Sequence, residues 1–241
     1  MTITRRGVGA TLLSALAAPA IAQTPAWPTR PVRLISPFAP GGPQDVPARF
    51  FVDALTPKLG QPVVFESRAG AGGLVGMQHV AQATDGHTFL ITSTAVATLP
   101  ALRRDLRFDP HTDLLPVTLV MQSPFTFVVR PNGPASFAEL LTRAREAPGR
   151  ITFGSSGVGS STHLMAAMMM QKAGVQLTHV PYRGSQLIMN ALLAGDIDCF
   201  TGDVSVPLPH IRAGTARCIA VTSEQRSPLL PDVPTVAETV P

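Results

Sequence analysis

The order in which short elements recur constrains this chain more than any single motif does. Residues 32–36 read as a short buried strand, stopped by Pro37-Phe38-Ala39-Pro40-Gly41-Gly42-Pro43. A helical pattern follows over residues 45–59, with Asp45 as its expected N-cap and Pro47 confined to the first turn. A second strand is read at residues 62–66, a loop at Gly70-Ala71-Gly72-Gly73, a helix at 74–83 and a third strand at 88–92. The same grammar resumes at Ile151-Thr152-Phe153, which leads into Gly154-Ser155-Ser156-Gly157-Val158-Gly159 and a helix over residues 161–173. Further strands fall at 177–180, 198–201 and 218–221, and further helices at 186–193 and 207–212. Strand, glycine-bearing loop and helix at roughly 25–30-residue spacing call for βαβ units and a parallel sheet. The β-rich segment over residues 116–131, with Phe125-Thr126-Phe127-Val128-Val129, suits a crossing between domains. The expectation is an α/β protein of two parallel-sheet lobes with a cleft. Lobe 1 covers residues 23–120, and lobe 2 covers 121–241 with the first hinge crossing.

Residues 1–22 stand apart. They carry Arg5 and Arg6, no acid, a short Ala/Leu-rich apolar run and the small-residue ending Ala20-Ile21-Ala22. These are the three regions of a secretory signal peptide, and Thr4-Arg5-Arg6 also fits a twin-arginine signal. Removing the segment leaves 17 basic against 15 acidic side chains, a net charge of +2. No Lys/Arg run remains to track phosphates, so nucleic-acid binding is not expected. With 45% hydrophobic and 14% charged residues the chain has ample material for a core. No later stretch reaches the ~18 apolar residues of a membrane helix, so a soluble body is expected. Cys199 and Cys218 lie in apolar strand-like runs and read as buried thiols more readily than as a disulfide.

The chemistry concentrates in two turns, residues 37–45 and 154–163. Both should lie at the carboxyl ends of parallel strands, where open α/β sheets place their ligands. A helix start offers unpaired N–H groups and partial positive charge, which suit an anion. Ser160, Ser161 and Thr162 add hydroxyls, and glycines admit a ligand close to the backbone. A hydrogen bond to a charged group contributes ~1.5–3 kcal/mol, so several can sustain roughly micromolar binding without a cationic side chain. The same residues could equally serve only as tight turns and caps.

Enzyme readings are weaker. Gly70-x-Gly72-x-x-x-Gly76 departs from the GxGxxG spacing of a dinucleotide loop and lacks the acidic residue that should follow it. There is no Walker phosphate loop, and Ser160 beside His163 is not a nucleophile elbow. The six histidines are scattered without metal-ligand spacing. Met165, Met168, Met169 and Met170 read mainly as core filler. No catalytic residue, metal or cofactor is expected.

Taken together, several motifs resemble one family. Pro37-Phe38-Ala39-Pro40-Gly41-Gly42 with Asp45, Leu59-Gly60-Gln61-Pro62-Val63-Val64 and Arg68-x-Gly70-Ala71-Gly72-Gly73 do so in the first half. In the second half, Gly157-x-Gly159-Ser160-Ser161-Thr162-His163-Leu164, His179-Val180-Pro181-Tyr182-Arg183-Gly184-Ser185 and Pro231-Asp232-Val233-Pro234-Thr235-Val236 do so. Nearly all of the chain after residue 22 is similar to the Bug proteins, periplasmic solute-binding proteins of tripartite tricarboxylate transporters.

The resemblance implies a type II periplasmic-binding-protein-like fold whose lobes close on a small carboxylate ligand. It implies a periplasmic, exported, monomeric protein that hands its ligand to the membrane subunits of a tripartite transporter. The implied ligand-binding residues are Phe38, Ala39, Pro40, Gly41, Gly42 and Asp45 on one side, and Gly159, Ser160, Ser161 and Thr162 on the other. Ser93 and Thr94 after the third strand, and Asp203, complete the set. Two departures stand out: Gly41-Gly42-Pro43-Gln44-Asp45 replaces the usual Gly-Gly-Gly-Thr-Asp, and Thr201-Gly202-Asp203 replaces Phe-Asp-Asn. Pro43 removes an N–H donor. Family members also continue beyond Pro241, so the expectation includes an incomplete first lobe and a truncated product of impaired stability. A truncated member with weak or no binding, and a small α/β cofactor-binding enzyme using residues 70–76, are the alternatives.

Overall fold

The computed structural model describes residues 26–240, so the export segment read at residues 1–22 lies outside the described residues. The first half forms β1 (Val32–Ser36), α1 (Asp45–Leu59), β2 (Val63–Ser67), a short 3-10 turn (Ala71–Gly73), α2 (Leu74–Ala81), β3 (Thr88–Leu90) and α3 (Ala95–Leu102). Its sheet has the order β2-β1-β3 and both pairings are parallel. After the central strand β1, helix α1 returns the chain to β2 on one edge and α2 carries it to β3 on the other, as the βαβ spacing requires.

The second half forms β4 (Phe125–Val129), α4 (Phe137–Glu146), β5 (Thr152–Ser155), α5 (Ser161–Ala173), β6 (Thr178–Pro181), α6 (Ser185–Ala194), β7 (Cys199–Asp203), α7 (Leu208–Arg212) and β8 (Arg217–Val221). A 3-10 turn at Val236–Glu238 follows. The five-stranded sheet runs β6-β5-β7-β4-β8. Strands β5, β6 and β7 are parallel, whereas β4 is antiparallel to both β7 and β8. The parallel reading therefore holds for the βαβ part, and residues 125–129 are an interior strand of the second sheet rather than part of a crossing.

Alternation along the strands divides the second sheet's side chains between two cores. Phe127 and Val129 face one way and pack with Phe137, Leu140, Phe153 and Ile219. Val128 faces the other way with Ile188, Leu192, Phe200 and Val221. Met169 is buried in the first of these cores, with Met165 and Met170 packed against it, as the core-filler reading expects. The first sheet has a smaller cluster of Phe38, Met77, Ala95, Leu99 and Phe108.

Cys199 on β7 and Cys218 on β8 are free, buried thiols on strands separated by β4. Burial raises the thiol pKa of Cys199 and pushes that of Cys218 up to about 12, so neither is a ready nucleophile. Among the described residues, no helix is long and apolar enough to cross a membrane, and no cluster of potential metal ligands occurs.

Candidate functional site

The carboxyl ends of β1 and β2 face those of β5 and β6 across a cavity of about 500 Å³. From the first sheet it is lined by Pro37 and Phe38, the loop at residues 70–73, and Leu99, Leu102 and Arg103 at the end of α3. From the second sheet come residues 156–159, His163 and Pro181-Tyr182-Arg183. Of the site residues expected from the sequence, Phe38 and Gly159 border the cavity.

The two halves touch through backbone and side chains. The Ala39 N–H donates to the Arg183 carbonyl at 3.1 Å, and the Ser161 hydroxyl donates to Ser93 Oγ at 3.4 Å. Gly72 lies against the next turn so closely that a Cβ on it would stand 2.5 Å from the Val158 carbonyl oxygen. On Gly157 a Cβ would stand 3.1 Å from Gly72 Cα. Both glycines also adopt positive φ, +69° and +118°. No other residue type fits this approach without moving one half away from the other.

The first turn is held largely by its own side chains. Asp45 is the first residue of α1 rather than its N-cap, a place taken by Gln44 without a side-chain bond. Its Oδ2 instead accepts the Gly41 N–H at 2.7 Å, while its own N–H donates to the Gly42 carbonyl at 3.1 Å. Ser67 donates its hydroxyl to the Phe38 carbonyl. The Ala39 and Gly41 donors that the sequence reading aimed at a ligand are thus engaged within the protein. Pro40 and Gly41 are exposed, Gly42 is buried, and none of the three borders the cavity.

The second turn is braced from below. Ser160 is the N-cap of α5, and its Oγ accepts the His163 N–H at 3.3 Å. Thr162 Oγ1 accepts the Ser156 N–H at 2.9 Å and lies 3.0 Å from Ser160 Oγ. Ser155 Oγ accepts the Gly157 N–H at 3.2 Å and sits 2.5 Å from His179 Nε2. Ser160 and Thr162 are buried supports of the turn, and Ser161 and Thr162 open α5 where backbone N–H groups lack intrahelical partners.

Ser93 and Thr94 lead into α3, with Ser93 accepting the Ala95 N–H at 3.3 Å and Thr94 exposed. Asp203 ends β7, where it is buried and accepts the Ser205 N–H at 2.8 Å. The structure does not bring Asp203 to the cavity wall.

The sequence reading missed the residues that give the cavity its charge. Arg103 and Arg183 line it, and no carboxylate does so among the described residues. Arg103 is paired in a fork with Asp105, at 3.0 and 2.7 Å. Arg183 pairs with no carboxylate among the described residues. Isolated arginines give no sequence signal of their own, since nothing local tells which of them a fold will gather. The motif at residues 70–73 was visible, but its role in closing the halves against each other was not.

Comparison with known proteins fits this arrangement. The tripartite tricarboxylate transporter family receptor pattern matches residues 47–240. The chain is 40% identical over 215 residues to the "UPF0065 protein in tcbD-tcbE intergenic region" of Pseudomonas sp. (strain P51), covering 88% of this chain and 64% of that one. It therefore spans somewhat less than two thirds of that relative's length. The solved periplasmic binding protein BugD superposes with a TM-score of 0.83 at 35% identity, over 88% of this chain and 72% of that one. Rpa4515 of R. palustris, solved with adipate, superposes with a TM-score of 0.84 at 35% identity, over 89% of this chain and 73% of that one. The chain belongs to the tripartite tricarboxylate transporter receptor family, in its Bug branch, a family of periplasmic solute-binding proteins and not of enzymes.

Proposed function

We propose that this chain captures a small carboxylate-bearing solute in the periplasm, as a monomer, and delivers it to the membrane subunits of a tripartite tricarboxylate-type transporter. Residues 1–22 act as its export signal, and the lobes at residues 23–120 and 121–241 close on the solute by hinge motion. The carrying observation is a cavity with two arginines and no acid in its wall, bounded on both sides by glycine-bearing turns. Such a wall favours an anion twice over, by Arg183, unpaired among the described residues, and by main-chain donors without protein acceptors. Among the described residues the N–H groups of Gly72 and Val158 have no protein acceptor, and they come from opposite halves at their closest approach. A carboxylate oxygen bound there ties the two halves together. Residues 38–42, Asp45, Ser93, Thr94 and residues 160–162 shape and brace these turns from behind.

Isothermal titration with adipate, the ligand solved with Rpa4515, tests the reading, with hexanamide as an uncharged control. Micromolar-range heat with adipate and none with hexanamide is expected. Gly159→Val places a side chain at φ +81° and against Leu102, and is expected to abolish the signal. Equal binding of acid and amide, or full binding by the valine variant, overturns the reading.

A further inference from the structure

One polar side chain in the cavity wall has no part in that reading. His163 is the third residue of α5 and borders the cavity. Its Nδ1 lies 3.2 Å from the Gly159 nitrogen, whose backbone N–H can only donate. Nδ1 must therefore present its lone pair, and a neutral imidazole then carries its proton on Nε2. Among the described residues no protein acceptor is within hydrogen-bond reach of that Nε2–H.

The ring is also fixed in place. Its centroid is 4.1 Å from that of His179, with the planes 23° apart, and it lies within 7° of parallel to Phe153. His179 is itself held at Nε2 by Ser155 Oγ, the same hydroxyl that accepts the Gly157 N–H. The stack thus connects the floor of the turn to its cavity-facing wall.

We propose that His163 is a ligand-binding residue, locked as the Nε2–H tautomer by Gly159 and donating that proton's hydrogen bond to an anionic oxygen of the solute. His179 and Phe153 are positioning residues that hold the ring. The inference rests on the carboxylate reading above and adds to it a side-chain donor, on the second half, that recognises an acid without itself being charged. Burial lowers the pKa of both histidines, that of His179 to about 4, so the pair is neutral at pH 7. His163 acts on His179 in the same sense, and the other ionisable side chains along the cavity are Arg103, Arg183 and Tyr182, whose phenol burial keeps protonated. Burial opposes protonation of His163 until an anion arrives. An anion beside Nε2 reverses that bias, so binding raises the His163 pKa and draws in a fraction of a proton.

The test is ¹⁵N NMR of the full chain titrated with adipate. The His163 ring nitrogens are followed together with the backbone amides of Gly72 and Val158. The Nε2 signal is expected to move along the same saturation curve as those amides, and the ring's titration midpoint to rise in the complex. His163→Phe keeps an aromatic ring on His179 but has no donor. It is expected to weaken adipate binding about tenfold or more and to remove the proton uptake. If the amides saturate while the ring signals stay fixed, or if His163→Phe binds adipate as tightly as the parent, the histidine is a brace alone and the inference falls. If neither amides nor ring respond to adipate, the anion seat itself has failed and takes the inference with it.

Discussion

The two halves solve the problem of holding a turn at a sheet end in different ways. In the second half, residues 155–163 sit on a five-stranded sheet with an apolar core on each face, and most of their polar groups are bonded to one another. In the first half, residues 37–45 sit on three strands with one small cluster, and the turn depends on Asp45 and Ser67. Its covering helix α1 buries only Ala48, leaving Val46 and Phe50 73% and 69% exposed. A densely bonded turn presents its donors in one arrangement, whereas a turn with fewer ties can adjust. The difference assigns rigidity to the second half and adaptation to the first.

The largest expected effect sharpens that contrast. Phe153→Ala empties a fully buried site beneath the second turn and is expected to cost about 3–5 kcal/mol of unfolding free energy. Met77→Ala in the first half's cluster is expected near 2 kcal/mol, the low end for such a truncation, because a smaller core relaxes into the space. Phe50→Ala is expected to change stability by less than about 0.5 kcal/mol. Urea unfolding of the three variants at pH 7 gives the order, and equal losses for Phe153 and Met77 would erase the contrast.

Acid loads both halves next. The folded pKa values of His163 and His179 lie below the unfolded value, so the unfolded chain binds protons that the folded one refuses. Stability is then full above about pH 6.5 and declines as pH falls from there towards about 4. His79 on α2 shifts the same way through its own burial. Glu66 is held below the usual carboxylate range chiefly by its hydrogen bonds to Arg33, which ties β1 to β2. Its contribution is present above its unfolded pKa and is lost only as pH falls further. Melting temperatures from pH 7 to 3 are expected to fall in two ranges, and His179→Phe to flatten the upper one while Glu66→Gln flattens the lower. A profile unchanged by His179→Phe would mean that the stack carries no such load.

Much of the fold was legible because its signals are local. The helices Asp45–Leu59 and Ser161–Ala173 stand where the apolar period and their flanking glycines put them, since Gly60 and Gly174 supply the left-handed caps. Helices α3 and α4 were not read. Pro100 inside α3 argues locally against a helix, yet the segment closes over Phe38 and Met77, so tertiary burial overrides the signal. In α4, Ser136 Oγ accepts the Glu139 N–H, a plain N-terminal signature that carries no glycine. The site was half legible for a related reason. Glycine turns announce themselves, but what each turn meets lies far away in the chain: Arg183 accepts from Ala39, and Val158 packs against Gly72. The packing of one sheet's loops against the other's decides those meetings, and no window of sequence contains it.

The smallest expected effects probe the two turns directly. Ser160→Ala removes the cap of α5 and leaves the His163 N–H without its acceptor in a buried place, a loss of about 1–2 kcal/mol. Asp45→Ala removes the acceptor of the exposed Gly41 N–H, which water can replace, and is expected to cost under about 1 kcal/mol. Their effects on binding should run opposite to their effects on stability. The second turn has so many internal bonds that losing one leaves the Val158 donor in place. The first turn loses the single carboxylate that orders residues 41–45, along with a negative charge whose removal favours any anion nearby. Adipate titrations of both variants decide between these pulls through their salt dependence. If Asp45→Ala changes affinity mainly at low ionic strength, the carboxylate acts through its charge. If the change persists in high salt, Asp45 acts by holding the turn, and the first half's adaptability has a definite limit.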